Sequence, residues 1–354
     1  MKKLRVAWIS TAALDKTARG LTSDQASMRY RMLIPSAALQ ALGCESSVLY
    51  AAPAANRRAI LSRLDGMDAV VIAKLFIDER RLDQEAPGLL QLVAEIGARG
   101  IKLLADFSDN TFVHPRRGPV DRSLANIVDL VVASTPELAQ LLRQETPVPV
   151  VSVTDPVEGG RGEPRVPADA RSPAAPLALL WFGHWTNFRT LQIAWEQLAP
   201  LAAERPLSML VLSRPGGGHE EAVARMDAEW RKTGSTCRFR PWSVATVFEA
   251  LRECDAVVIP SDPQNPEKSI KSPNRFCESV WAGRFVVAHP LPSYQRLAAG
   301  GWVGADVAEG LRWMLARPDE ALARIHAGQS AVAAAHSPQA VGQAWKRVIE
   351  TAIG

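Results

Sequence analysis

Only four cysteines occur among the 354 residues, and no two stand as Cys-x-x-Cys. That spacing argues against a cysteine zinc site and against a disulfide framework. Cys44, Cys237, Cys254 and Cys277 lie in apolar or strand-like surroundings, which reads as buried thiols in a reducing compartment. No apolar run approaches the ~18 residues of a membrane-spanning helix. Behind Met1-Lys2-Lys3 only Val6 to Ile9 is apolar before Ser10 and Thr11, too short for the core of a signal peptide. Glycine (23) and proline (25) show no excess, which excludes a collagenous or low-complexity chain. Clustered charge is missing too. The net charge of +4 is spread over scattered pairs such as Arg57-Arg58, Arg80-Arg81 and Arg116-Arg117. It suits an anionic ligand or an acidic membrane surface, not a nucleic acid. Gly-x-Gly-x-x-Gly is absent after the first strand, where Ser10-Thr-Ala-Ala stands, and neither a P-loop nor Gly-x-Ser-x-Gly occurs.

What is present is an alternation. Short runs rich in Val, Ile and Leu fall at Leu4–Ile9, Ser47–Tyr50, Ala69–Ile72, Lys102–Ala105, Leu130–Ala133 and Val148–Val153. Continuous apolar runs of this length are expected for parallel strands covered on both faces. Amphipathic stretches separate them, at Ala26–Leu42, Gln84–Ala98 and Pro136–Arg143. From Asp155 to Pro176 the chain is dense in Pro, Gly and charge, as in a linker or an exposed loop. The alternation then resumes. Strands are expected at Leu177–Phe182, Ser208–Ser213, Thr236–Phe239, Ala256–Ile259 and Arg284–Ala288. Helices are expected at Asn187–Ala203, Glu220–Lys232, Val244–Glu253 and Asn274–Ala282, and only helix after Gly304. The pattern predicts an α/β protein of two Rossmann-like doubly wound domains facing a central cleft. Ligands of such sheets bind beyond the carboxyl ends of the strands.

One segment stands out for chemistry: Lys271-Ser-Pro-Asn274-Arg275-Phe-Cys-Glu278, followed by Ala282-Gly283 and Val286-Val287-Ala288. Lys271, Asn274 and Arg275 gather at a helix start, where backbone N–H groups and the helix dipole attract an anion. Glu278, one turn on, is able to accept from vicinal hydroxyls such as those of a ribose; the plainer alternative is surface pairing of Lys271 with Glu278. In the first half, Asp106 and Asp109 close a strand. They suit orientation of sugar hydroxyls or proton transfer, or else serve as a cap and a loop residue. His114 follows, as a sugar contact or a solvent-facing histidine. Arg29 and Arg31 open the first long helix, as ligands of an anionic acceptor or donor phosphate, or as a surface pair.

The Lys271–Ala288 segment resembles the donor-site motif of GT-B glycosyltransferases, in particular the retaining, family 4-like group. Asp255-Ala-Val-Val-Ile-Pro260-Ser261, Leu180-Trp-Phe-Gly183-His184 with Asn187, Ser134-Thr-Pro-Glu137-Leu138, and His336-Ser-Pro with Trp345 resemble other landmarks of that family, in the same order. Two positions depart from it: Ile270 stands where many members have a first glutamate, and Phe285 where proline is usual. The resemblance implies an acceptor-binding domain at 1–160, a linker at 161–176, a nucleotide-sugar domain at 177–335 and a final helix at 336–354 that crosses back. It implies that Lys271 meets the diphosphate, that Asn274 and Arg275 hold the phosphates or the loop, and that Glu278 binds the ribose. Gly183 would let the backbone approach the phosphates, His184 would touch sugar or phosphate, and Arg214 and Trp242 would contact phosphate or base. The catalytic candidates are then Asp106, Asp109, His114 and Lys271, and the acceptor candidates Arg29 and Arg31.

The expected activity is transfer of a sugar from a nucleotide-sugar to a glycan or lipid-linked acceptor, with retention, in bacterial capsule or lipopolysaccharide synthesis. The expected enzyme is a hexosyltransferase-like GT-B protein that requires no metal, in keeping with the absence of an Asp-x-Asp motif, and has no other cofactor and no nucleic-acid partner. It is expected in the cytoplasm, with peripheral contact at the inner membrane. The alternatives are a nucleotide-sugar epimerase and a non-catalytic GT-B-like subunit that binds nucleotide or a partner.

Overall fold

The computed structural model describes residues 3–12, 14–17, 20–51, 57–73, 77–167 and 175–354. Residues 74–76, shortly after the strand Ala69–Ile72, and 168–174, within the expected linker, lie outside the described residues. The chain divides into two compact units. The first comprises Met1–Pro156, Ile270–Ser272 and Ala335–Gly354; the second comprises Val157–Ser269 and Pro273–Ala334.

In the first unit the apolar runs form a six-stranded parallel sheet. Its order across the sheet is Glu45–Tyr50, Arg5–Ser10, Ala69–Ile72, Lys102–Phe107, Leu130–Ala133 and Val150–Ser152. Side chains alternate between faces along a strand, so both faces need cover. Ala7, Ile9, Val70 and Ile72 enter one core. Val6, Trp8, Val71 and Leu104 enter another, with Val341, Trp345 and Ile349. Those last three recur every four residues on the helix Pro338–Ile353, which places them on one stripe. Trp345 meets Trp8 edge to face, with ring centroids 4.9 Å apart. Two features were not anticipated: an antiparallel pair, Asp15–Thr17 with Gly20–Thr22, inside the long polar loop after the first strand, and a π-helical turn, Arg29–Leu33, in the first long helix.

The second unit repeats the plan. Its parallel order is Thr236–Pro241, Leu207–Ser213, Leu177–Phe182, Ala256–Ile259, Phe285–Ala288 and Trp302–Val303. Leu177, Leu179 and Trp181 pack on one side; Leu180 and Phe182 pack on the other. All four cysteines are buried thiols, and burial pushes Cys237 and Cys254 up to about 12. Among the described residues no helix is long and apolar enough to cross a membrane.

Candidate functional site

The carboxyl ends of the second unit's strands gather most of the candidate ligands. The strand Leu177–Phe182 runs into Gly183, where a Cβ would stand 3.4 Å from both Arg275 Nη1 and Trp181 Cζ2. Arg275 lies beside it, donating to the carbonyl of Phe182 at 3.4 Å. His184 opens the turn Trp185–Asn187, its Nδ1 3.0 Å from Thr186 Oγ1. Burial, then the charges of Arg214 and Lys268, hold its pKa below the ordinary 6.5. At neutral pH the ring is therefore mostly uncharged.

Arg214 follows the strand Leu207–Ser213, its guanidinium carbon 5.8 Å from the centre of the Trp242 ring. The loop behind it contains Gly216, Gly217 and Gly218, with φ of +107°, +70° and +73°. Three consecutive residues in the left-handed region require glycine. Lys268, on the short helix Pro266–Ser269, donates to Asn187 Oδ1 at 2.5 Å. The helix Asn274–Trp281 begins behind Pro273 with no side-chain cap, so its first-turn N–H groups face outward from the helix start. Gly183, His184, Arg214, Lys268, Asn274 and Arg275 thus supply cations, a titratable ring and backbone donors at one end of one sheet. That combination suits a phosphate-bearing ligand.

Lys268 and Trp185 were not picked out from the sequence. The signal for Lys268 was its spacing, three residues ahead of Lys271. Trp185 is 47% exposed and stacks on His219, with centroids 5.8 Å apart, offering a flat apolar surface next to His184.

Glu278 turns to the backbone of its own unit. It is 3% exposed, and its two oxygens accept from the backbone N–H groups of Glu158 (2.6 Å) and Gly159 (3.3 Å).

In the first unit the acidic and basic candidates meet one another. Arg31, 1% exposed, makes a two-pronged contact with Asp106 at 2.5 and 3.0 Å. It also reaches Asp155 at 2.8 Å and the carbonyl of Val153 at 2.6 Å. Burial works against the Arg31 charge, but the two carboxylates more than offset it and hold its pKa above the usual value. Burial pushes the Asp106 carboxyl upward, against the pull of Arg31. So placed, Arg31 and Asp106 compensate one another inside the first unit. Arg29 is buried as well and donates to the carbonyl of Ser23 at 2.7 Å.

Lys271 donates to Asp109, and the hydroxyl of Thr135 donates to the neighbouring carbonyl of Ile270 at 2.8 Å. Ile270, at the position of the missing glutamate, is buried in the first unit's core. His114 accepts through Nδ1 from the N–H groups of Arg116 and Arg117, and its Nε2 lies 3.3 Å from Glu79. It closes the turn Thr111–Val113, two residues before the N-cap Arg116 of the helix Arg117–Asn126. Among the described residues no group of three or more His, Cys, Asp or Glu side chains is placed to hold a metal ion.

No protein-family model matches the chain, and no curated protein does. Solved structures do. A glycosyltransferase from Rickettsia africae aligns over 100% of this chain and 99% of its own, with a TM-score of 0.69 and 11% identity. HepE of Anabaena, in complex with UDP-glucose, aligns over 98% of this chain and 100% of its own, with a TM-score of 0.66 and 10% identity. AviGT4, a glycosyltransferase involved in avilamycin A biosynthesis, aligns over 99% and 98%, with a TM-score of 0.56 and 13% identity. At these identities the likeness speaks for architecture alone, and with two parallel six-stranded sheets flanked by helices the chain has the GT-B fold.

Proposed function

We propose that the protein is a glycosyltransferase that takes a sugar from a nucleoside-diphosphate sugar, held by the second unit, and passes it to a glycan or lipid-linked acceptor. The observation that carries this reading is the cationic group at the carboxyl end of the second sheet: Arg214, Lys268 and Arg275 beside the Gly183 turn and the uncapped helix start at Asn274. The GT-B fold supports it, as do neighbours solved with UDP and with UDP-glucose.

Glycosyl transfer passes through an oxocarbenium-like state as negative charge builds on the leaving diphosphate. Fixed cations and backbone donors aimed at that charge stabilise it more than they stabilise the substrate, at about 2.7–4 kcal/mol per well-placed donor. Positive side chains and a helix dipole suffice for this without a metal ion, so turnover is expected to survive chelator. Retention of configuration, with front-face attack assisted by the departing phosphate, follows from the resemblance to the family 4-like group. A role in bacterial surface polysaccharide synthesis, in the cytoplasm and at the inner membrane, completes the proposal.

The test is thermal unfolding against UDP-, GDP-, ADP-, CMP- and TDP-linked sugars, with and without magnesium. A ligand at a hundred times its Kd stabilises by about 2.7 kcal/mol. One selective shift, lost in Arg275→Ala, is the expected result. An unmoved midpoint across the whole panel would sink the donor reading.

A further inference from the structure

We propose that Glu278 is a positioning residue: it ties a strap of backbone, residues 157–165, to the helix Asn274–Trp281 and so fixes the helix start that meets the donor phosphates. This rests on the donor-site reading above.

The strap runs along the second half of that helix and is bonded to it repeatedly. Beyond the two N–H groups that Glu278 receives, the Trp281 indole N–H donates to the carbonyl of Gly159 at 2.9 Å. The N–H of Gly162 returns to the carbonyl of Trp281 at 2.9 Å. Gln329 bridges both partners, donating to the carbonyls of Gly162 at 2.7 Å and Trp281 at 3.1 Å. Farther on, the N–H of Arg165 meets the carbonyl of Gly283 at 3.1 Å. Val157 anchors the near end in a small apolar cluster with Cys277 and Val332.

The two surfaces also fit too closely for side chains. A Cβ at Gly159 would come within 2.2 Å of Phe248, one at Gly162 within 2.3 Å of the carbonyl oxygen of Ala282, and one at Gly283 within 2.2 Å of the carbonyl oxygen of Glu163. Contacts this short do not occur, so Gly162 and Gly283 keep strap and helix in register, while Gly159 lets the strap pass Phe248 of the helix Val244–Glu253.

The geometry assigns the carboxylate a mechanical task. A buried charge needs partners, and here the backbone of the strap supplies them. Asn274 and Arg275 sit one turn earlier on the same rigid element, so the bonds at Glu278 set where the phosphate donors stand.

The test compares UDP with 2′-deoxy-UDP by titration calorimetry on wild type, Glu278→Gln and Trp281→Phe. The temperature is set where circular dichroism shows all three folded. Glu278→Gln turns an amide donor toward one of the strap's N–H groups. Trp281→Phe loosens the strap while leaving the carboxylate in place. Both variants are expected to weaken both nucleotides by the same factor, about ten-fold for the first and a few-fold for the second, with the ratio of the two affinities unchanged. Selective loss of UDP binding, with 2′-deoxy-UDP unaffected, would make Glu278 a ribose contact and overturn the proposal. So would a lowered unfolding midpoint with both affinities intact, which is the mark of a purely structural bond. Wild-type protein that bound neither nucleotide, nor any other nucleotide of the panel above, would be a failure of the donor reading itself, seen before any variant is examined.

Discussion

In the first unit a guanidinium, Arg31, is enclosed between two carboxylates and buried at 1% exposure. In the second, Arg275 reaches a neutral oxygen, the carbonyl of Phe182. A carboxylate partner cancels a cation, whereas a neutral acceptor orients it and leaves its charge to act on what arrives. Arginine at a strand end or a helix start is thus one residue type in two employments, one holding the fold together and the other able to receive an anion. The partners decide between them, and position in the sequence does not.

Breaking the first arrangement should have the larger effect. Asp106→Ala leaves Arg31 buried with half its compensation gone, and loss of one partner of a buried pair costs about 3–5 kcal/mol. Chemical denaturation should therefore show a large drop in stability. Full stability with turnover abolished would move Asp106 from the fold to the chemistry. The second arrangement should answer the other way. Lys268→Ala and Arg275→Ala should each weaken UDP about ten-fold, the equivalent of 1.4 kcal/mol, with stability changed by no more than about 0.5 kcal/mol. Unaltered affinity in both would remove these cations from the site.

The smallest effect sharpens the comparison by pH. Because the folded pKa of His184 lies below 6.5, the folded protein takes up its proton less readily than the unfolded chain. Folding is therefore unpenalised above pH 6.5 and loses stability as pH falls through and below that value. A bound diphosphate offsets the charges of Arg214 and Lys268, raises the His184 pKa and should draw in a proton below neutral pH. Calorimetry in buffers of different ionisation enthalpy measures that uptake, which His184→Asn should reduce. Identical uptake in the variant would assign the proton to another group.

The parallel strands were legible because burial on both faces leaves little choice of residue. Ala69–Ile72, Leu130–Ala133, Leu177–Phe182 and Ala256–Ile259 fall where their apolar runs place them. Trp302–Val303, two residues long, carries no such run and passed unnoticed. So did the helix Arg57–Arg63, whose basic start masks Ile60 and Leu61. Local pattern said least about the partners of the charges. Arg31 lies among ordinary helix neighbours, and the partners that bury it stand 75 and 124 residues away. Glu278 was read from its helix position; the backbone it accepts from lies about 120 residues earlier, in a stretch that read as a linker. Spacing reveals a helix face, but not what the rest of the chain brings against it.

The pairing of Trp8 with Trp345 sets a schedule for synthesis. A ribosome adds residues from the amino end, and domains generally fold as units once their parts have emerged. The first six-stranded sheet is translated by Ser152, yet the stripe of Val341, Trp345 and Ile349 that covers one of its faces arrives almost two hundred residues later. Until then Trp8, Val71 and Leu104 lack their final cover. The second unit, whose segments lie between, is therefore the one able to finish first, and the half of the protein that is made earliest is the last to be complete.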